Sequence, residues 1–358
     1  MLTEENLRRY LCEETSKLNI DHHHWLKDSF LNKIGRMAPN LLSLSLRRIR
    51  ISNQGFTDLV TYLHHIRQID ISDCVLVEAS GLMKLVEVGG ETLRELHAQN
   101  CQDAVVDDVL KALAGLETGI LEVLDISYCK HVTDEGLQAF ENKVLPLTRL
   151  CVSGLIGVTG RGLAYPIRAC TETLLIFQGA MMDQEGLKIP DFGAALGCCF
   201  SIESIDLGGC VAITDQFFDL LSQQQKEVEG VMTKVGLVSL HTIKLNFLEN
   251  VQDLSVQKVC QCAPALEHLE LTGCAKLTDY YLGQIITNHK QLQFIDINHI
   301  PAVTPAILEN LKNIRPDLLQ RRYLHSDIDP KDNMLRVPLR IAEKGKAGGK
   351  GKKKKKKK

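Results

Sequence analysis

Cysteine and histidine are the side chains of this sequence best suited to chemistry, because thiolate and imidazole groups bind zinc and serve as nucleophiles or bases. The chain has 12 residues of each type among 358. No C-x-x-C pair occurs, and neither Cys198-Cys199 nor Cys260-Gln261-Cys262 has the spacing of a zinc finger. We therefore expect reduced thiols and no metal-binding residue.

The run His22-His23-His24 is the longest histidine cluster, and it would need carboxylates facing it to bind a metal. Such a run is more typical of a solvated helix face or loop. The sequence contains no G-x-S-x-G, no P-loop, no G-x-G-x-x-G after a strand and no H-E-x-x-H. It therefore predicts no catalytic residue, no cofactor-binding residue and no enzymatic activity.

Charge is divided unevenly along the chain. The formal net charge is −2, but ten lysines and no acidic residue follow residue 343, which leaves 32 Lys and Arg against 44 Asp and Glu, or −12, for residues 1–343. With 44% hydrophobic residues the chain has enough apolar material for a core, which excludes disorder throughout. It has neither an apolar run of membrane-spanning length nor the apolar core of a signal peptide, so we expect a cytoplasmic or nuclear protein.

A repeated pattern organises most of the sequence. The fragments that begin at Leu121, Ile202 and Leu266 read L-x-x-L-x-L-x-x-C, with isoleucine at some apolar positions. The first apolar residue of each unit is called the anchor below. The same frame recurs in ten units, with anchors at Leu41, Ile66, Leu93, Leu121, Leu147, Leu174, Ile202, Leu240, Leu266 and Leu292.

The repeat also accounts for most of the cysteines. Five lie eight residues after an anchor, at Cys74, Cys101, Cys129, Cys210 and Cys274. Three more, Cys170, Cys198 and Cys262, lie four residues before the next anchor. A recurrent position of this kind predicts buried small side chains in a turn or core rather than a zinc or redox site.

Helix-start chemistry follows each strand pattern. Twelve residues after the anchor, five units have a threonine whose hydroxyl can accept a hydrogen bond from a free backbone N–H of the first helical turn. These are Thr133, Thr159, Thr214, Thr278 and Thr304. Each unit is therefore predicted to be a short strand, a turn and a helix.

Stacking such units bends the array. Strands in register lie about 4.8 Å apart, whereas helices need roughly 10 Å each, so the strands must lie on the inner side of a curve. The predicted fold is α/β: a right-handed horseshoe solenoid of about ten strand–helix units of 25–28 residues, with a parallel concave sheet.

The pattern over Leu41 to Arg315 resembles the cysteine-containing leucine-rich repeats of F-box leucine-rich-repeat proteins and of the antagonist-of-mitotic-exit-network type, which resembles them without a clear F-box. The resemblance implies a non-enzymatic recognition scaffold, with a substrate-recognition or adaptor role in SCF ubiquitin-ligase-dependent protein turnover. The Leu-Pro start and Cys-Arg-x-Trp close of an F-box are absent, which puts direct adaptor binding in doubt.

Four regions are expected. Residues 1–40 form a helical N-terminal cap, 41–315 the solenoid, 316–343 a C-terminal cap and strap, and 344–358 a disordered poly-Lys tail. The interval from Ile202 to Leu240 has about eleven extra residues, near 222–236, which predict a surface loop or an extended helix. This insertion either binds a partner or is a tolerated addition without a binding role.

Partner contacts are predicted on the concave face, where residues two, four, six and seven after each anchor point to solvent. The fourth position is acidic in five of ten units, which either selects a basic partner or follows from the repeat itself. Bulky side chains on this face are candidate interface anchors. The candidate residues are Asp70, Asp125, Tyr128, Asp206, Lys244, Phe247, His268, Glu270, Phe294 and Asp296.

The tail is the second candidate contact region. It ends in Lys352, Lys353, Lys354, Lys355, Lys356, Lys357 and Lys358. Such a block attracts anionic surfaces such as tubulin, nucleic acid or a membrane, or it only keeps the chain soluble. The tail and the missing F-box favour an alternative, a structural subunit of a ciliary assembly such as the axonemal nexin-dynein regulatory complex, and a weaker one, a nuclear adaptor. In each case we expect a monomer within a complex.

Overall fold

Three-residue strands and short helices alternate along the computed structural model. It describes residues 11–116, 119–182, 190–223, 225–228, 231–234, 236–304, 308–309, 313–316 and 319–321. The poly-Lys tail and most of the predicted strap lie outside these residues.

Twelve strands form one sheet in which every described pair is parallel. Its members, in spatial and chain order, are β1 (Lys17–Asn19), β2 (Ser43–Ser45), β3 (Gln68–Asp70), β4 (Glu95–His97), β5 (Val123–Asp125), β6 (Arg149–Cys151), β7 (Ile176–Gln178), β8 (Ser204–Asp206), β11 (Thr242–Lys244), β12 (His268–Glu270), β13 (Phe294–Asp296) and β14 (Leu319–Arg321). The remaining pair, β9 (Gln225–Val228) and β10 (Val231–Lys234), is an antiparallel hairpin.

Ten helices in the described part of the chain lie between these strands. They are α1 (Asp28–Met37), α2 (Asn53–Val60), α3 (Ala79–Gly89), α4 (Asp107–Ala114), α5 (Asp134–Gln138), α6 (Gly160–Arg168), α7 (Pro190–Gly197), α8 (Asp215–Ser222), α9 (Asp253–Cys262) and α10 (Asp279–Asn288). The longest, α3, has 11 residues, and no described helix combines the length and apolarity that a membrane span requires.

The core lies between the sheet and the helices. All ten predicted anchors are buried, and so is the middle residue of each strand from β2 to β8 and from β11 to β13. Because each strand alternates its side chains, the residues on either side of that middle position face away from the helices. The predicted solenoid with a parallel inner sheet is confirmed.

The cysteines eight residues after an anchor join neighbouring units. Each Sγ donates a weak hydrogen bond to a carbonyl of the preceding unit, five residues after that unit's anchor. The five bonds are Cys74 to Leu46 (3.0 Å), Cys101 to Ile71 (3.0 Å), Cys129 to Ala98 (3.2 Å), Cys210 to Gly179 (2.9 Å) and Cys274 to Leu245 (3.0 Å). These residues are therefore part of the core, as predicted, and connect its units as well.

A second connection joins the helix starts. The carboxylate at the start of one helix accepts both the N–H and the hydroxyl of the Ser or Thr that caps the next helix. The pairs are Asp28 with Ser52, Asp107 with Thr133, Asp134 with Thr159 and Asp253 with Thr278. In three of these units a glycine leaves room for the carboxylate, because a Cβ at Gly55, Gly136 or Gly162 would collide with it.

The predicted helix caps are confirmed in three units. Thr133, Thr159 and Thr278 each accept a hydrogen bond from a backbone N–H of the helix that follows. Thr214 occupies the cap position of α8, but its side chain makes no such bond. Thr304 directly precedes residues outside the description.

Strands extend the sheet at both ends of the ten predicted units. The helical cap expected at 1–40 includes a strand, β1, that joins the sheet before α1. It forms a further unit in which Thr15 stands where other units have an apolar anchor, so the repeat frame did not reveal it. At the other end β14 adds a strand to the sheet, and Arg315 donates to the carbonyls of His289 and Leu292.

The insertion also differs from expectation. It is the β9–β10 hairpin rather than a loop or an extended helix. The sheet continues across it without a shift, because β8 pairs directly with β11, Asp206 opposite Lys244.

We predict that Asp134→Ala lowers the free energy of unfolding by about 1–3 kcal/mol, because it leaves the N–H and hydroxyl of Thr159 without their acceptor. Glu135→Ala is the control: it removes the neighbouring carboxylate, whose side chain is 71% exposed, and should change stability by less than about 0.5 kcal/mol. Urea unfolding measures both. Equal losses in the two variants would show that the connection does not stabilise the array.

Candidate partner-binding surface

The last residue of each strand from β2 to β8 and from β11 to β13 forms a continuous row across the sheet. Strand register places all ten residues directly opposite one another in sequence: Ser45, Asp70, His97, Asp125, Cys151, Gln178, Asp206, Lys244, Glu270 and Asp296. The sequence frame therefore assigned this register correctly. Six of the ten predicted contact residues belong to this row.

The aspartates of the row have a local role in the fold. Oδ1 accepts the backbone N–H two residues later in each case, from Ser72 to Asp70 (2.8 Å) and from Ser127 to Asp125 (3.0 Å). Asp206 and Asp296 make the same contact with Gly208 and Asn298. This bond closes the turn after the strand, which explains why aspartate recurs here.

Asp296 is buried, whereas Asp206, like Asp70 and Asp125, is half-buried. Burial raises the pKa of Asp206, against the opposing hydrogen bond from Gly208 and the charge of Lys244. Asp296 is only 6% exposed and also accepts from the Thr272 hydroxyl at 2.7 Å and the Asn298 amide at 2.7 Å. Asp296 thus has its carboxylate already engaged, whereas Asp70 and Asp125 are half-buried.

A charged cluster surrounds Glu270. Its Oε1 lies 2.9 Å from His268 Nε2 and 3.5 Å from Lys244 Nζ, and its Oε2 accepts from Asn246 Nδ2 at 2.6 Å. Burial alone would raise the pKa of Glu270, but these hydrogen bonds and charges outweigh it and lower the pKa to about 2. The carboxylate is therefore ionised over the whole physiological range.

Two aromatic rings stack beside this cluster. His268 and Phe294 are neighbours on β12 and β13, with ring centroids 4.2 Å apart and planes inclined by 17°. Phe294, expected to be an exposed anchor, is half-buried because one ring face is covered by His268. The predicted residues Lys244, His268, Glu270 and Phe294 thus form one patch, here called the C-terminal patch.

The residue seven positions after each anchor forms a second row, here called the edge row. All ten have positive φ: Arg48, Asp73, Asn100, Tyr128, Gly154, Met181, Gly209, Phe247, Gly273 and His299. This conformation is left-handed and suits glycine, asparagine and aspartate, whereas other side chains cost about 1–2 kcal/mol there.

Bulky and small residues alternate in the central part of the edge row. Tyr128, Met181 and Phe247 are 42%, 60% and 42% exposed, and each is followed one unit later by glycine. The side chain lies over that glycine, since a Cβ at Gly154, Gly209 or Gly273 would collide with Tyr128, Met181 or Phe247 respectively. The result is three apolar ridges two strands apart, about 10 Å by the usual strand spacing.

Folding alone does not account for these three ridges. Each combines an unfavourable backbone conformation with apolar surface in water, and glycine serves the same turn in the intervening units. Large apolar side chains exposed in a row are typical of protein contacts. Tyr128 and Phe247 were predicted as contact residues, but Met181 was missed, although its position seven residues after Leu174 would have identified it.

Ten of the twelve thiols are buried. Burial raises the pKa of Cys74 and of Cys129 to about 12, so both stay protonated and unsuited to metal binding. In the described part of the chain no three His, Cys, Asp or Glu side chains come together as a metal site. His23 of the histidine run instead bonds through Nδ1 to the carbonyl of Asp21 at 2.8 Å.

Comparison with known proteins agrees with this architecture. A family model described as Leucine Rich repeat matches residues 121–140. Among solved structures, the chain is similar to a chain of the Rad7 and Elc1 complex from yeast, with 15% identity over 93% of this chain and 87% of that one and a TM-score of 0.55.

Two bacterial structures are also similar to the chain. One is the internalin InlF of Listeria monocytogenes, with 15% identity over 91% of this chain and 85% of that one and a TM-score of 0.48. The other is the leucine-rich-repeat protein LegL7 of Legionella pneumophila, with 12% identity over 85% and 89% and a TM-score of 0.45. The fold of the chain is a leucine-rich-repeat horseshoe solenoid.

We predict that Glu270→Gln destabilises the protein at pH 7 and not in acid. The folded-state pKa of about 2 lies below the ordinary value of 4.5, so the stabilisation is present above pH 4.5 and is lost as pH falls towards 2. Allowing for solvent screening, we expect a loss of about 1–2 kcal/mol at pH 7. Urea unfolding between pH 7 and 3 measures it, with Glu267→Gln as the control. A difference from wild type that does not shrink with acid would contradict the assignment.

Proposed function

We propose that this chain is a non-enzymatic recognition scaffold that holds a protein partner along its strand surface, as a substrate-recognition or adaptor subunit in SCF ubiquitin-ligase-dependent turnover. The observation that carries the proposal is the alternation of Tyr128, Met181 and Phe247 with glycine in the edge row. Support also comes from the similar solenoid that was solved in the Rad7 and Elc1 complex.

The ridges and the C-terminal patch favour one continuous binding surface. Phe247 belongs to the same unit as Lys244, and Glu270 follows in the next unit. A partner lying across the strands would meet apolar ridges first and then the ionised Glu270 with its surrounding donors. Apolar anchors supply most of the affinity in such interfaces, whereas the charged patch adds orientation.

We predict that the combined variant Tyr128→Asn, Met181→Asn, Phe247→Asn loses at least about ten-fold in partner capture. Asparagine tolerates the left-handed conformation, so the free energy of unfolding should stay within about 1 kcal/mol of the wild-type value. Affinity purification with quantitative mass spectrometry measures capture. The control, Met83→Asn with Tyr280→Asn, removes exposed apolar side chains from helices α3 and α10.

The proteins recovered test the proposed pathway separately from the surface. Loss of capture in the edge-row variant but not in the control supports recognition by this surface. Recovery of a Skp-type adaptor, a cullin or ubiquitylated clients by wild type supports the SCF role. If capture survives the edge-row substitutions, the partner binds elsewhere.

A second proposal, a structural subunit of an axonemal assembly such as the nexin-dynein regulatory complex, rests on the sequence of the tail. The lysines from 344 onwards suit the acidic surface of tubulin by charge. Recovery of axonemal proteins, with tubulin binding that falls when residues 344–358 are removed, would favour it over the SCF role.

A further inference from the structure

The edge row begins in a polar hollow of about 460 Å³ at the N-terminal half of the solenoid. Arg47 and Arg48 of one unit, Asp73 and Asn100 of the next two, and Lys130 of the fourth line this space. Tyr128, the first apolar ridge, is part of its wall. None of these polar residues was assigned a role by the sequence.

Internal bonds occupy the acceptors on one side of the hollow. Asp73 accepts from Arg48 Nε at 3.0 Å through Oδ2 and from Asn100 Nδ2 at 2.9 Å through Oδ1. Gln102 Nε2 donates to Asn100 Oδ1 at 3.0 Å and to the carbonyl of Tyr128 at 2.6 Å. The amide oxygen of Gln102, Oε1, accepts the Lys130 N–H at 3.1 Å. These oxygens are thus fixed by donors from the protein itself.

Donors, by contrast, remain available. Arg47 Nε is shielded from solvent and has no hydrogen-bond partner among the described residues. Arg48 uses only Nε for its bond to Asp73 and its side chain is 54% exposed, which leaves its terminal amino groups towards solvent. Lys130 is exposed and takes part in no ion pair within the described part of the chain. A ligand for this hollow must therefore supply acceptors.

The charge of the hollow points the same way. Two arginines and one lysine face one carboxylate, a balance of +2, on a body whose residues 1–343 carry −12. Burial opposes ionisation of Asp73, but the bonds from Asn100 and Arg48 and the charges of Arg48 and Arg47 lower its pKa, so it stays an anion and holds Arg48 in place. The positive excess comes from Arg47 and Lys130.

We propose that this hollow binds an oxyanion carried by a peptide segment of the protein partner, either a phosphoryl group or a side-chain carboxylate. Guanidinium groups donate pairs of N–H bonds to such oxygens, and Arg47, Arg48 and Lys130 line the hollow as the donors. The inference rests on the proposed function, because the segment would continue from the hollow over Tyr128 to the next ridge, Met181.

The test uses the full chain and three immobilised peptide libraries of equal length. All positions are degenerate except one central residue, which is phosphoserine, glutamate or serine. The pocket variant is Arg47→Gln with Lys130→Gln, and Arg48 is kept because it pairs with Asp73. The matched control is Arg67→Gln with Lys143→Gln, which removes the same two charges from exposed positions outside the hollow. The poly-Lys tail contributes equally to all variants.

We expect the wild-type chain to retain the phosphoserine library at least about ten-fold better than the serine library. The pocket variant should lose that preference and the control should keep it within about two-fold. If glutamate matches phosphoserine, the carboxylate is the source of the oxyanion; if it matches serine, the phosphoryl group is. Equal losses in the pocket and control variants, or no preference over serine, would overturn the inference.

This outcome can be separated from failure of the proposed function. Partner capture that depends on the edge-row ridges, with no effect of the pocket variant on the libraries, would refute the oxyanion site alone. Circular dichroism and thermal unfolding of the pocket variant establish that the chain is folded. Arg47→Lys gives a further readout, since it restores the charge without the paired donors and should recover binding only in part.

Discussion

Each unit of this protein must match the backbone of its neighbour across a strand of only three residues. A unit this small cannot bury its apolar side chains by itself, so its stability comes from packing against the units on either side. The matching explains why the same backbone geometry recurs in all of them. The left-handed residue of the edge row, the turn-closing aspartate and the thiol bonded to the preceding unit all serve this requirement.

The requirement also leaves certain positions free. Side chains that point away from the helices lie outside the apolar core that joins the units, so their identity can change from unit to unit while the backbone stays constant. The N-terminal half uses this freedom for arginines and polar groups, the middle for apolar ridges and the end for the patch around Glu270. One regular backbone thus presents three chemically different stretches in a line.

The sequence predicts the parts of the fold that depend on local patterns. Anchors such as Leu121 follow from apolar spacing within one unit, and caps such as Thr133 follow from the hydroxyl group at a fixed distance after the anchor. The thiol bonds and the Asp134–Thr159 connection join residues about one unit apart, so they appear only when the units are stacked. The unit that contains β1 was not recognised in the sequence, because Thr15 stands at the position of the apolar anchor.

The candidate surface was predictable in position but less so in detail. The repeat frame in the sequence placed the acidic row correctly. It did not indicate that Asp296 is buried or that Phe294 lies against His268. Those facts depend on side chains from adjacent units. The sequence locates the edge row, seven residues after each anchor. The reason for its alternation with glycine is seen only in the structure, where Tyr128 and Phe247 lie over the glycine of the following unit.

The reactivity of the buried thiols depends on whether neighbouring units stay in contact. Cys74, Cys101, Cys129, Cys210 and Cys274 are distributed from the second to the ninth of the ten predicted units, and each is protected only while its unit touches the one before it. A small alkylating reagent would therefore label a given cysteine at the rate at which that junction opens. The pattern of labelling along the chain would show where the solenoid separates first.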